Sequence, residues 1–263
     1  MLSIVVCMKQ VLDPEAPASA FRIDPEAKRA IPPKGTPPVL NPYDENALEA
    51  ALKIKDAQPA EITVISMGVQ LARPVVKKSL AVGAKDLVLL EDAVFDGLDS
   101  YSTAYILAAA IKKVEKYDLI LCGREAADTD AGQVGSGIAE ILGIPSITAA
   151  RKVQVTDRTL RVERVVSDGY EVVESTLPAV VTASSEIGDL RSPNVKAVME
   201  AQKKPFTVWK AQDIDIDPSQ FRRINMLKLF IPVHENVCEI VEGESPEQAG
   251  ANLAVKLREA KVI

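Results

Sequence analysis

Four short runs that are almost wholly apolar, Leu2 to Met8, Glu61 to Met67, Asp86 to Leu90 and Tyr117 to Cys122, alternate with segments whose apolar residues recur every three or four positions. Near-continuous apolarity belongs to strands covered on both faces, and its alternation with the helical period predicts parallel βαβ units. Helices are predicted over Tyr43 to Lys55, Leu71 to Ala81 and Thr103 to Val114, the first opened by Asn41 as a cap with Pro42 at its first position. Right-handed crossovers bring the carboxyl ends of such strands to one edge, where ligands of open α/β sheets bind. Four loops should converge there: Cys7 to Asp13, Met67 to Gln70, Glu91 to Ser100, and Gly123 to Gly135.

Between Arg151 and Ala183 the pattern changes to β-branched runs around a turn, which reads as a hairpin plus a further strand and makes the sheet mixed at this end. Pro193 to Ala201 reads as a short helix. The Pro-rich Ile31 to Pro38 is a stiff loop rather than a linker. Beyond Lys203 the βα rhythm stops: KKPFTVWKAQDIDIDP has no amphipathic period, and MLKLFIP is an isolated apolar run ending at Pro232. A tail of this kind suits wrapping around a partner, with Trp209 as an interface anchor. Ser245, Pro246 and Gln248 then open a helix from Glu247 to Lys261 with Ala249, Leu253, Ala254 and Leu257 on one face. The expected division is an α/β domain over residues 1–203 and an arm with a helix over 204–263.

The stretch GREAADTDAGQVGSGIAEILG, Gly123 to Gly143, carries the most chemistry. A strand ends, an acidic loop broken by Gly132, Gly135 and Gly137 follows, and a helix begins. Glycines let main chain approach a ligand, and the unpaired N–H groups of a first helical turn favour an anion. A plain strand-to-helix turn has the same texture, and neither a GxGxxG nor a Walker loop occurs in the chain.

Composition narrows the field. A 263-residue chain that is 47% hydrophobic is globular, and its net charge of −6 lacks the footprint of a nucleic-acid binder. No apolar run approaches the roughly 18 residues needed to span a bilayer, and the first residues run straight into a strand with no charged leader, so the expected location is cytoplasmic. The three cysteines, Cys7, Cys122 and Cys238, have no Cys or His at metal-ligand spacing and read as buried, inert thiols.

Single residues assemble no catalytic constellation and no metal site. His234, the only histidine, has no nucleophile beside it. Asp128 and Asp130 could act as acid and base or hold a metal, but on a glycine-rich loop they suit ribose hydroxyls and loop N–H groups better. Lys9 could reach a phosphate or be a solvated strand-end lysine, and Asp99, Ser100 and Thr103 face the same sheet edge or form only a helix cap. Any chemistry must therefore come from a bound cofactor.

These residues resemble the β subunit of electron-transferring flavoproteins over essentially the whole chain. The most specific stretch is Val162 to Ala183, VERVVSDGYEVVESTLPAVVTA, similar to the family signature in Arg164, Asp168, Gly169, Glu171, Val173, Pro178 and the Val180, Val181, Thr182 finish, with Ser167 where an acidic residue is usual. Cys7 with Lys9, the run Asn41, Pro42, Tyr43, Asp44, and Met67 with Gly68 resemble the family's nucleotide site, as does the loop Gly123, Arg124, Asp128, Thr129, Asp130, Ala131, Gly132, Gln133, Val134, Gly135.

The resemblance implies an adenine-nucleotide-binding, flavodoxin- or Rossmann-like α/β fold with a mostly parallel sheet, helices on both faces, an added β-hairpin and an extended C-terminal arm. It implies an α subunit as partner, reached by the arm. The loop from Ala131 to Gly135 resembles the electron-bifurcating type, which tends to read AQVG, more than the type that tends to read NQTG, although Gly132 replaces the usual Ala. That implies FAD accepting hydride from NADH and splitting electrons between ferredoxin or flavodoxin and the α-subunit FAD, which serves a flavin-dependent dehydrogenase of acyl-CoA or hydroxy-acid type. Asp99, Ser100 and Thr103 would lie towards the flavin end. A structural AMP is the alternative, and a stand-alone nucleotide-binding protein the further one. On either family reading the chain is a redox subunit rather than an enzyme alone. The segment Glu186 to Ala197 resembles the loop that docks the dehydrogenase, with Leu190 as candidate anchor beside Arg191.

Overall fold

The computed structural model describes residues 1–217, 223–232 and 238–263; His234 lies outside the described residues. In chain order the strands are β1 (Leu2–Met8), β2 (Gln10–Val11), β3 (Arg22–Asp24), β4 (Arg29–Ile31), β5 (Val39–Leu40), β6 (Ala60–Gly68), β7 (Asp86–Glu91), β8 (Leu119–Gly123), β9 (Ser146–Thr156), β10 (Thr159–Val166), β11 (Gly169–Thr176), β12 (Ala179–Ala183) and β13 (Thr207–Trp209). The α-helices are α1 (Pro42–Ala57), α2 (Arg73–Val76), α3 (Lys78–Val82), α4 (Ser100–Val114), α5 (Val134–Leu142), α6 (Val195–Lys203) and α7 (Pro246–Glu259).

One nine-stranded sheet runs β11-β10-β9-β12-β8-β1-β6-β7-β13. From β9 to β13 every pairing is parallel, and only β10 and β11 are added antiparallel. The alternation of side chains along β1 explains why its sequence is apolar throughout. Ile4 and Val6 pack on the α1 face, whereas Val5 and Cys7 pack on the α4 and α5 face. Both faces are therefore dry, as the strand pattern requires.

Several expectations are revised. The predicted hairpin stands as β10 and β11 and the predicted further strand as β12, in parallel between β8 and β9; what is added is β9, which extends the hairpin to a three-stranded antiparallel meander. The predicted helix Leu71 to Ala81 is two short helices meeting at Lys77, whose ammonium donates to the carbonyls of Gln202 and Lys204. The sheet also extends past residue 203: Thr207, Val208 and Trp209 pair with Val88, Leu89 and Leu90 at its edge. Trp209 consequently packs on the α4-side core beneath Lys113 instead of waiting for a partner.

The arm is different. Ile224, Leu227, Phe230, Ile231 and Ile240 are exposed, and α7 buries none of its residues. Ser245 caps α7 through the N–H of Gln248, so the helix is locally well formed although its apolar residues have no core to join.

Candidate functional site

A cavity of about 500 Å³ opens at the carboxyl ends of the parallel strands, and all four nominated loops contribute to it. Its fixed post is the start of α1. Strands β2 and β5 pair, and the Asn41 N–H donates to the Lys9 carbonyl at 2.8 Å, which seats α1 against the end of β1. Asn41 occupies the N-cap position, but its side chain makes no cap bond. Instead its amide donates to the Glu125 carbonyl at 2.8 Å and accepts from the Ala127 N–H at 3.0 Å, holding the loop after β8 in place.

Asp44 braces the two strand ends that form the floor. One carboxylate oxygen accepts the Lys9 N–H at 2.7 Å and the other the Gly123 N–H at 2.9 Å. Burial pushes this carboxyl up to about 7, against the pull of those same bonds. Gly123 has no room for a side chain, because an added Cβ would lie 2.5 Å from Asp44 Oδ1 and 2.6 Å from the Tyr43 carbonyl carbon.

The loop from Arg124 to Gln133 forms one wall. Asp130 and Gly132 adopt positive φ, +47° and +61°, and turn the chain into α5. A Cβ on Gly135 would meet Thr182 Cγ2 at 2.5 Å, so glycine allows the first turn of α5 to lie directly on β12. Lys9 Nζ donates to Asp128 at 2.7 Å, and Arg124 pairs with Glu125 while its guanidinium lies 5.3 Å from the Tyr43 ring centroid. Two cations thus stand beside a wall of close-packed main chain, which can hold an anionic ligand.

Most nominated residues line this space: Cys7, Lys9, Asn41, Asp44, Met67, Gly68, Ser100, Thr103, Gly123, Arg124, Asp128, Thr129, and Ala131 through Gly135. Pro42, Tyr43, Asp99 and Asp130 do not. Pro42 and Tyr43 shape α1 behind the floor. Asp99 is turned to other work: one oxygen caps α4 through the Ser102 N–H at 2.8 Å, and the other accepts the N–H groups of Ile224, at 2.8 Å, and Arg223. Burial would raise Asp99, but these main-chain bonds outweigh it and hold the carboxyl at about 2.

The sequence reading missed the far end of the cavity, built by Phe95, Gly97, Leu98 and Leu107, and the floor residue Cys122. Phe95 to Leu98 lie in a loop already nominated at a strand end. An apolar patch there was not separable from ordinary packing.

The docking candidates also change character. Leu190 is half-buried against the α1-side core. Arg191 forks to Glu49 at 2.9 Å and Asp56 at 2.8 Å, bonds that raise its pKa further, and its N–H also donates to Glu49. Both residues therefore fix the loop to α1. What this segment does expose is a stripe one turn on, Val195, Val198 and Met199 of α6.

Among the described residues, no group of three or more His, Cys, Asp or Glu side chains is placed to hold a metal ion, and no helix is long and apolar enough to cross a membrane.

Comparison with known proteins agrees with this architecture. The electron transfer flavoprotein domain is matched over residues 34–214. The chain is 38% identical, over the full length of both, to the caffeyl-CoA reductase-Etf complex subunit CarD of Acetobacterium woodii. It is 44% identical to an electron transfer flavoprotein subunit beta of Clostridium acetobutylicum across 82% of this chain and 81% of that one. Similarity to the acryloyl-CoA reductase electron transfer subunit gamma of Anaerotignum propionicum is 31% over the full length of both. The chain belongs to the electron transfer flavoprotein family, as a β-type subunit.

Proposed function

We propose that the cavity holds FAD and that this chain, joined to an α subunit in the cytoplasm, takes hydride from NADH and divides the electrons between ferredoxin or flavodoxin and the α-subunit FAD. The observation that carries this reading is the length of the cavity. It runs across the ends of β8, β1, β6 and β7, three strand spacings or about 14 Å, which suits a dinucleotide laid along the edge more than a mononucleotide at one end.

The bound group would supply hydride acceptance and one-electron transfer. The protein's residues would bind and orient it. Main chain around Gly132 to Gly135, with Lys9 and Arg124, would face the diphosphate; Asp128 and Thr129 would accept and donate hydrogen bonds to ribose; Ser100 and Thr103, at the start of α4, would meet the far end beside Phe95 and Leu98. Asp44 and Asn41 keep these loops in register. No side chain is asked to act as acid or base.

The exposed apolar residues of the arm support an α subunit as its partner, and they speak against a stand-alone nucleotide-binding protein. The exposed stripe on α6 supports docking of a flavin-dependent dehydrogenase there. Relatives named for caffeyl-CoA and acryloyl-CoA reductases favour a CoA-thioester enzyme as the one served.

The test is to co-express the chain with its α subunit, denature the purified pair and identify the released nucleotides. Two FAD per pair, with bleaching by NADH, supports the proposal. One FAD with one AMP assigns the chain to the AMP-holding alternative, and release of no nucleotide from this subunit overturns both.

A further inference from the structure

Cys7 and Cys122 are far apart in sequence but meet on the cavity floor. Strands β1 and β8 run in parallel with Val6 opposite Leu121, so the next position sets Cys7 opposite Cys122. Neighbouring strands lie about 4.8 Å apart, inside the Cα separation of about 4.4–6.8 Å that a disulfide accepts. Both side chains fall on the α4 and α5 face, both are buried, and both line the cavity. The neighbouring Cys7 thiol, together with burial, raises the Cys122 thiol well above its ordinary value. A Cβ on Gly135 would lie 3.8 Å from Cys122 Sγ, so the pair sits directly beneath the opening turn of α5.

We propose that Cys7 and Cys122 are a redox-sensitive dithiol, which closes to a disulfide when hydrogen peroxide enters the empty cavity and which a bound nucleotide shields. In the first step the Cys7 sulfur, as thiolate, attacks a peroxide oxygen; the O–O bond breaks, leaving a sulfenic acid and, after protonation, water. The second sulfur then attacks the first and expels its hydroxyl as a second water. Two thiols lose two electrons and two protons, and one peroxide becomes two waters. A disulfide prefers Cα atoms about 5.5–6 Å apart, so the new bond pushes the ends of β1 and β8 apart beneath Gly135, where α5 lies directly on β12. The disulfide form therefore binds nucleotide more weakly than the dithiol. The shielding rests on the nucleotide reading above, whereas the pairing of the two sulfurs does not.

The experiment uses the full chain carrying Cys238→Ser, which removes the exposed thiol. Stripped of nucleotide, it is treated with hydrogen peroxide, alkylated, digested without reduction and examined by mass spectrometry, alongside samples saturated with FAD or with AMP. The expected result is a linked pair of peptides containing Cys7 and Cys122, lighter by two hydrogens than the free pair and released by dithiothreitol. Bound nucleotide should slow its formation about tenfold or more, and the linked protein should bind nucleotide about tenfold less tightly until reduced. Accumulation of sulfinic acid on either cysteine with no linked pair overturns the proposal, as does linking at an undiminished rate in protein shown to hold nucleotide. If the reduced chain binds neither FAD nor AMP, the nucleotide reading fails, and the linked pair in the peroxide-treated chain still decides the dithiol.

Discussion

Asp44 Oδ1 accepts the N–H of Gly123 at 2.9 Å, and the same oxygen would stand 2.5 Å from a side-chain carbon at position 123. The bond and the glycine require one another. The main chain of Tyr43 and Asp44 closes the same space, so no rotamer change can make room. Gly123→Ala should destabilise the fold by about 1–3 kcal/mol, as overpacking of a closed site does, and should loosen the cavity floor. Urea unfolding and nucleotide titration on the same sample check this; a normal midpoint with normal affinity would show that β8 can move away from α1.

Asp44 also makes a prediction about pH. Its carboxyl titrates near 7 in the folded protein against an ordinary value of 3.8, so the folded state keeps a proton that the unfolded chain has released. Its contribution to stability is fully present below pH 3.8 and is lost as pH rises to about 7, at up to about 1.4 kcal/mol per pH unit. Asp44→Asn cannot lose that proton. The difference in unfolding free energy, wild type minus variant, should fall from acid to neutral pH and then level off; a difference that stays flat over that window would mean Asp44 is ionised throughout.

The strand ends and their four loops were legible because burial on both faces leaves a long apolar record, and because parallel topology sends every such strand to one edge. What remained hidden depends on contacts between distant segments. Asn41 looks like a helix cap by position, yet Glu125 and Ala127 take its side chain. Arg191 looks like a surface docking residue until Glu49 and Asp56, two turns apart on α1, are seen to hold it. The meeting of Cys7 and Cys122 required knowing that β8 lies beside β1, which no local pattern encodes. β13 is too short for a period to register, and its pairing with β7 alone reveals it.

Asp99 ties the arm to the site. Its two oxygens divide between the first turn of α4, which carries Ser100 and Thr103 into the cavity, and the backbone of residues 223 and 224. Arg223 adds a guanidinium over the Tyr101 ring at 5.1 Å. Asp99→Ala should cost about 1 kcal/mol from the lost cap and free the arm's root, seen as faster proteolysis near residue 223 and weaker association with the α subunit. With its carboxyl held at about 2, this attachment is fully present above the ordinary aspartate range and is lost as pH falls through 2. Arm protection that declines between neutral pH and pH 5 would point to a different anchor.

If a dehydrogenase docks on α6, Val195 and Met199, 77% and 62% exposed, are where it should be felt. Replacing either with Glu should leave unfolding within about 0.5 kcal/mol of wild type, as surface changes do, while slowing electron delivery to the dehydrogenase. Leu190→Ala should do the reverse, lowering the unfolding midpoint through its half-buried packing. Stopped-flow reduction of the dehydrogenase, paired with urea unfolding, separates the two; equal electron-transfer rates in all three variants would remove α6 from the interface.

Lys9 offers a way to tell binding from bracing. Its ion pair with Asp128 is short, but the two side chains are 43% and 31% exposed, and such pairs contribute about 0–1 kcal/mol. Its backbone N–H, not its ammonium, carries the bond to Asp44, so Lys9→Ala leaves the floor intact. The variant should unfold close to wild type yet bind nucleotide about tenfold more weakly, a loss of about 1.4 kcal/mol. Because an ammonium facing phosphate is screened by salt, wild-type affinity should fall with ionic strength more steeply than that of the variant. Parallel salt dependences would mean that Lys9 serves only Asp128, and the anion would then have to be held by Arg124 and the main chain around Gly132.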